Sequence, residues 1–351
     1  MSCDLDINVG EMTSNCFRQS KVDGECMLQM RVPGAVIDAD YLEYARHIAK
    51  KWGNGDFHIG TRQTLSIPGI SYDDVDEVNE YLKGYIEGVE VEMCGVDMEV
   101  DDNGFPNLGA RNIMACIGNT HCIKANVNTT ELARKLERRI FPSPYHIKIG
   151  ISGCPNDCGK GHFNDFGIIG LVDPEYKYER CIGCEKCVEA CESHATGVLE
   201  LNEDGKIEKD DCCCVGCGEC VVACPTGAWE RNPTDYYRVT IGGRAGKQYP
   251  RLGKMFLDWV TEDVVLGIID NWEEFSAEVL NYKPIYLHGG HLIDMAGFYN
   301  FKEKILKGVE LNPKAEVAEH IYWDETEYRA NIHVQSYFDD IDRHPHCDTN
   351  G

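Results

Sequence analysis

The sequence predicts an α+β protein in three parts. These are a small unit over 18–95, a larger α/β domain over 96–173 and 231–335, and a cysteine-dense module over 174–230 inserted into that domain. Three observations carry this reading. Strand-like and helix-like apolar patterns alternate from 25 to 94. Near 174 the strands shorten and cysteines crowd together. After 230 the earlier alternation resumes.

The small unit opens with ECMLQMRVP (25–33), read as a strand. A helix follows over 38–52, where Asp38 can cap and Leu42, Ala45, Ile48, Ala49 and Trp52 share one face. Residues 56–68 read as extended. A second helix over 73–87 gathers Val75, Val78, Leu82 and Ile86, and GVEVEMC (88–94) alternates as a further strand. Strand, helix, strand, helix, strand is an order of ferredoxin-like type.

DDNGFPNLG then reads as a linker. The larger domain continues with a helix over 129–140, its apolar face made by Leu132, Leu136 and Ile140. HIKIGIS (146–152) alternates, which puts Ile147, Ile149 and Ile151 on one face and Lys148 on the other. FGIIGLV (166–172) reads as a buried strand. Beyond the module come a strand over 237–242, a basic Gly-rich turn GGRAGK and a helix near 262–280.

A formal net charge of -25 opposes nucleic-acid binding, which needs a basic surface. It also means that an anionic substrate needs locally gathered cations. The most apolar stretch, MFLDWVTEDVVLGIID, is broken by Asp258, Glu262, Asp263 and Asp270, so no membrane span is expected. The N-terminal MSCDLDINVG lacks the basic and apolar regions of a secretory signal, and the expected location is cytoplasmic. Nineteen clustered cysteines in such a chain point to metal ligation rather than disulfides.

The module holds CIGCEKCVEAC (181–191) and CVGCGECVVACP (214–225), two copies of Cys-x2-Cys-x2-Cys-x3-Cys about 33 residues apart. Zinc sites instead pair two Cys-x2-Cys units across a longer loop. The doubled pattern predicts two [4Fe–4S] clusters, with the fourth cysteine of each run ligating the other cluster. One set is Cys181, Cys184, Cys187 and Cys224; the other is Cys214, Cys217, Cys220 and Cys191. Glu192 stands after Cys191 where Pro is usual, unlike Pro225 after Cys224. Cys212 and Cys213 are surplus to the pattern.

A second cysteine spacing occurs in CIGNTHC (116–122) and SGCPNDCGK (152–160). Cys116, Cys122, Cys154 and Cys158 make a four-thiolate set in which the wider loops leave one sulfur less enclosed. With TRQ (61–63) and ARN (110–112), these stretches resemble the siroheme–[4Fe–4S] signature of the sulfite and nitrite reductases. The inserted two-cluster ferredoxin narrows the resemblance to the siroheme-carrying subunit of anaerobic, dissimilatory-type sulfite reductases. It extends over nearly all of 18–325.

The resemblance implies a catalytic sulfite reductase subunit with a siroheme and three [4Fe–4S] clusters. Cys116, Cys122, Cys154 and Cys158 would hold the cubane beside the siroheme, with Cys158 as the bridge to its iron. Sulfite would bind the opposite face and be reduced by six electrons to sulfide. Arg62, Arg111 and Lys148 would face the substrate; Lys160 would contact either substrate or a siroheme carboxylate. Oxyanion binding and proton relay both call for such cations. Arg244 and Lys247 on the Gly-rich turn suit the siroheme carboxylates, with Gly243 and its neighbouring glycines letting backbone approach closely.

One departure is the absence of a second lysine two positions after Lys148, where Gly150 stands. His146 is a candidate helper or a plain strand residue. His121 is read as lining its loop, and HGGH (288–291) as a structural Gly-rich turn. GGRAGK lacks the Ser/Thr of a phosphate-binding loop, so electrons are expected from flavin/NADH-type and iron–sulfur partner subunits in a homo- or hetero-oligomer. The alternatives are a siroheme nitrite reductase and an electron-transfer subunit without catalysis.

Overall fold

The structure is a computed structural model and describes residues 16–100, 111–245, 250–285 and 287–323. The chain divides into two compact units. One comprises 1–114 and 130–146, the other 115–129 and 147–351.

The first unit is a four-stranded antiparallel sheet with helices. β1 (Phe17–Gln19), β2 (Glu25–Arg31), β3 (His58–Ile59) and β4 (Thr64–Ser71) lie in the order β1-β2-β4-β3. β2 alternates buried Cys26, Leu28 and Met30 with half-buried neighbours, as a strand with one covered face must. Helix α1 (Leu42–Lys51) follows a 3-10 turn that Asp38 caps by accepting the Asp40 N–H at 3.0 Å. Its buried Ala45, Ile48 and Ala49 join Ile67 and, from α2 (Val75–Ile86), Val78, Leu82 and Tyr85 in one core.

GVEVEMC is not a strand. The chain passes from α2 straight into a π-helical segment, Glu87–Met93. Arg31 holds Glu90 in a buried ion pair at 3.4 Å, and Gly88 packs against the Tyr41 ring. These long-range contacts wind inward a segment whose local alternation suggests extension.

The boundary between the units falls inside β5 (Arg111–Ala115). Helix α3 (Thr129–Ile140) buries Leu132, Leu136 and Ile140. Its Thr130, Arg134 and Arg138 side chains donate to the carbonyls of Gly34, Val36 and Cys94.

In the second unit β6 (Ile147–Ser152) pairs parallel to β7 (Phe166–Leu171), and β7 pairs antiparallel to β12 (Tyr236–Ile241). The sheet continues through β13 (Lys254–Val260) to β14 (Glu316–Val317), and β5 is its opposite edge. Ile147, Ile149 and Ile151 are fully buried, in keeping with the alternation of HIKIGIS. Helices α6 (Glu262–Val279), α7 (Gly289–Ala296) and α8 (Phe298–Ile305) complete this domain. HGGH is therefore a helix start, with His288 outside the first turn and His291 buried within it.

The module lies between β7 and β12. It contains β8 (Pro174–Tyr176), α4 (Lys186–His194), β9 (Leu199–Leu201), β10 (Ile207–Lys209), α5 (Glu219–Ala223) and β11 (Trp229–Arg231). β8 pairs with β11 and β9 with β10, each antiparallel. Among the described residues no helix is long and apolar enough to cross a membrane.

Candidate functional site

Two loops at the end of the large sheet bring Cys116, Cys122, Cys154 and Cys158 together. β5 delivers Cys116, whose N–H donates to the Ile151 carbonyl at 2.9 Å. The Thr129 hydroxyl donates to the Cys116 carbonyl at 2.5 Å, and the Cys122 N–H donates to the Gly118 carbonyl at 2.9 Å. β6 ends at Ser152, and the next N–H, that of Gly153, donates to the Cys116 sulfur at 3.1 Å. Gly153 has no room for a side chain, because a Cβ would lie 2.7 Å from that of Ala125.

The set converges around Cys154. Burial pushes the Cys154 thiol up, and Cys116, Cys158 and Cys122 push it further the same way. Four thiols near enough to act on Cys154, with an N–H directed at one of them, form a donor set that suits an iron–sulfur cubane. Exposure grades across the set. Cys154 is buried, Cys116 and Cys122 are half-buried, and Cys158 is exposed. The sulfur expected to reach a second metal centre is the one the fold leaves uncovered.

Asp157, which carries no motif in the sequence, organises this loop. Its carboxylate accepts from the Ser152 hydroxyl at 2.7 Å and the Gly161 N–H at 2.7 Å. The His162 N–H adds a bond at 3.3 Å, and the His162 Nδ1 lies 2.8 Å away. Burial opposes ionisation, but the His162 ring, the Ser152 hydroxyl and these N–H groups together hold the carboxyl below its ordinary value. The only signal is an Asn-Asp pair between two ligand cysteines, which looks like any turn.

The other expected residues are distributed as follows. Arg62 and Arg111 belong to the first unit, Lys148 and Lys160 to the second. Arg62 is half-buried, with Nη1 3.3 Å from the Met114 sulfur. Arg111 opens β5, and its side chain is outside the described residues. Lys148 is half-buried on β6, where its N–H donates to the buried Asp165 carboxylate at 2.9 Å. Lys160 is exposed, with left-handed backbone at φ 55.

Arg244 is buried and 3.5 Å from Asp294, which also pairs with Arg251 at 3.0 Å. Gly243 permits close approach, although to protein. A Cβ there would lie 2.2 Å from the His162 carbonyl oxygen. Lys247 lies outside the described residues. His146 is buried, and His121 is exposed on its loop.

The module repeats in backbone as in sequence. Gly183 and Gly216 share φ 65, and Glu185 and Gly218 are both left-handed just before α4 and α5. Cys191, Cys214, Cys217 and Cys220 line one recess, partly open to solvent. Thus the fourth cysteine of the first run joins the first three of the second. Burial raises the Cys187 thiol, and Cys224 adds to it in the same direction. Glu192 lets α4 run on past Cys191 to His194, whereas α5 stops before Cys224 and Pro225. Cys212 and Cys213 are exposed.

Residues 108–312 match the nitrite and sulphite reductase 4Fe-4S domain, and residues 18–85 match the nitrite/sulfite reductase ferredoxin-like half domain. The chain belongs to the nitrite and sulfite reductase family, an oxidoreductase family with a siroheme and a 4Fe-4S cluster. It is 51% identical over 335 residues to one subunit of the anaerobic sulfite reductase of Salmonella typhimurium, covering 95% of this chain and 99% of the relative. It is 31% identical over 255 residues to the coenzyme F420-dependent sulfite reductase of Methanocaldococcus jannaschii, covering 71% of this chain and 37% of that one. The crystal structure of a dissimilatory sulfite reductase I shares the fold, with a TM-score of 0.60 and 17% identity over 86% of this chain and 74% of that chain.

Proposed function

We propose that this chain is the catalytic subunit of an anaerobic sulfite reductase, converting sulfite to sulfide with six electrons and six protons and releasing three waters. The observation that carries it is the convergence of Cys116, Cys122, Cys154 and Cys158 with only Cys158 exposed, in a chain that also holds a complete eight-cysteine module. In this reading Cys116, Cys122, Cys154 and Cys158 would hold a cubane, and Cys158 would link it to the siroheme. The two exchanged sets in 174–230 hold two further [4Fe–4S] clusters. The domain limits are 18–95, 96–173 with 231–335, and 174–230.

Siroheme, when bound, supplies an iron that coordinates the substrate sulfur and a macrocycle that passes electrons to it. The protein supplies cations. Arg62, Arg111, Lys148 and Lys160 bind the oxyanion, and the lysines deliver protons as each oxygen leaves as water. Arg244 and Lys247 answer the siroheme carboxylates. Asp294 already stands beside Arg244, so a cofactor carboxylate shares that guanidinium rather than meeting a bare one. Electrons come from flavin/NADH-type and iron–sulfur subunits of a larger assembly.

Anaerobic purification with iron, sulfide and siroheme quantification tests this reading, followed by reduced-dye assays. Siroheme absorption and sulfite-dependent dye oxidation are expected. Full metallation without siroheme or turnover overturns it, and faster turnover of nitrite at equal concentration redirects it.

A further inference from the structure

The two halves of the module repeat, yet they face different surroundings. The Cys181 loop turns onto its own module. The Lys206 ammonium donates to the Cys181 carbonyl at 2.6 Å and the Tyr178 carbonyl at 3.0 Å. Gly183 abuts the Gly205 backbone, Ile182 is 69% exposed and Cys184 is exposed.

The Cys214 loop turns onto the large domain instead. The Val172 N–H donates to the Gly216 carbonyl at 3.0 Å, and Gly216 packs against Leu171 and Trp259. Buried Asn126 directs Nδ2 to the carbonyls of Gly216 and Cys217, at 3.3 and 3.5 Å. Lys124 pairs with Glu219 at 2.7 Å.

Asn126 reaches the other way as well. Its backbone N–H donates to the Gly153 carbonyl at 2.6 Å, and the Gly153 N–H donates to the Cys116 sulfur. Covalent and hydrogen bonds therefore run unbroken from the Cys217 peptide through Asn126 and Gly153 to a sulfur of the other set. Arg231 Nε donates to Asn126 Oδ1 at 3.4 Å, which fixes the amide so that its NH2 faces the Cys214 loop. Lys124 lies within electrostatic reach of both Cys154 and Cys217, as a cation between two thiolate sets would.

We propose that Cys214, Cys217, Cys220 and Cys191 form the inner half of the module, coupled to the Cys116 set through Asn126, and that Cys181, Cys184, Cys187 and Cys224 form the outer half. The proposal rests on the function proposed above. An external one-electron donor of iron–sulfur class reduces the outer set. That set is reoxidised as the inner set is reduced, and the inner set in turn as the Cys116 set is reduced. Protons enter only at the anion site. Asn126 is a positioning residue, which keeps two ligand loops in bonded contact. Tunnelling decays less steeply along bonds than across gaps, so its loss slows transfer without removing a centre.

The test uses the anaerobically purified full-length holoprotein. A pulsed photoreductant places single electrons on the module, and siroheme absorption reports their arrival. Asn126→Leu should keep wild-type iron and siroheme content and slow arrival by about tenfold, a typical cost of losing a group that supports metal ligands. Lys206→Met, the matching lesion in the outer loop, breaks no bond between the inner set and the Cys116 set and should slow arrival clearly less than Asn126→Leu. An unchanged rate in Asn126→Leu with content intact overturns the proposal, as does equal slowing in Lys206→Met.

Should Asn126→Leu fail to assemble, Cys184→Ala decides. With the outer set disabled, the remaining ferredoxin-type signal should keep its magnetic broadening by the Cys116 set, and loss of that broadening overturns the order. A wild-type protein with iron but no siroheme overturns the proposed function instead. Magnetic coupling between the inner set and the Cys116 set then still tests the order.

Discussion

The inserted module and the Cys116 site both gather cysteines but hold them in opposite ways. In the module the cysteines are the core. Cys187, Cys191 and Cys220 pack with Leu199, Ile207 and Trp229, and burial with its neighbouring thiols pushes Cys220 up to about 12. At the Cys116 site the cysteines sit on loops that the protein fixes by other means: the Thr129 hydroxyl, the Gly153 approach and the Asp157 hub. A small module buries little apolar surface of its own and would depend on a bound metal. The large domain has a sheet covered by helices and can present an open sulfur without losing its frame.

Metal removal should break this symmetry of composition most visibly. Chelation under reducing conditions is expected to unfold 174–230 while the β6–β7–β12 sheet persists. Limited proteolysis and amide exchange check this, with cleavage expected first inside the module. Simultaneous loss of both regions would mean that the Cys116 loops also depend on metal.

Cys158→Ser comes next. It should lower dye-driven sulfite turnover by about a hundredfold or more, since a shared ligand is lost, while the module's iron is retained. Iron and siroheme content with EPR of the ferredoxin-type signals is the measurement. Asp157→Ala should be milder, costing about 3 kcal/mol through loss of charge-assisted bonds to Ser152, Gly161 and His162. The melting temperature of the large domain reads it, and Asp157→Asn should recover only part of the loss.

What the sequence disclosed follows from how local each signal was. Cysteine spacing acts within a few residues, so the gathering of Cys116, Cys122, Cys154 and Cys158, the 33-residue repeat from Cys181 to Cys214 and the place of Cys191 beside Cys214, Cys217 and Cys220 were legible. The isoleucine alternation of β6 was legible for the same reason. GVEVEMC misled because its winding depends on Arg31, more than fifty residues away. HGGH misled because a helix start was hidden by two glycines. Arg244 stands out on its Gly-rich turn, but its Asp294 partner lies fifty positions along and carries no local signal. Asp157 and Asn126 carried no motif, and only the contacts of the folded loops single them out.

The smallest expected effect separates the two regions by pH. His291 is buried on α7, and burial, with Arg244, Arg251 and His288 adding to it and Asp165 opposing, lowers its pKa from 6.5 to about 4. The unfolded chain takes up this proton near pH 6.5, but the folded chain does not until about pH 4. Stability from this residue is therefore complete above pH 6.5 and falls as pH drops toward about 4. At one unit below the unfolded value the loss is about 1.4 kcal/mol. His291→Gln should remove it, flattening the acid side of the large domain's melting profile. The module's own iron–sulfur absorbance should follow the same pH course in both proteins, because the groups that shift His291 among the described residues, Arg244, Arg251, His288 and Asp165, lie outside 174–230. An acid limb unchanged by His291→Gln would assign the sensitivity to another buried group, and one that tracks cluster bleaching would assign it to the module.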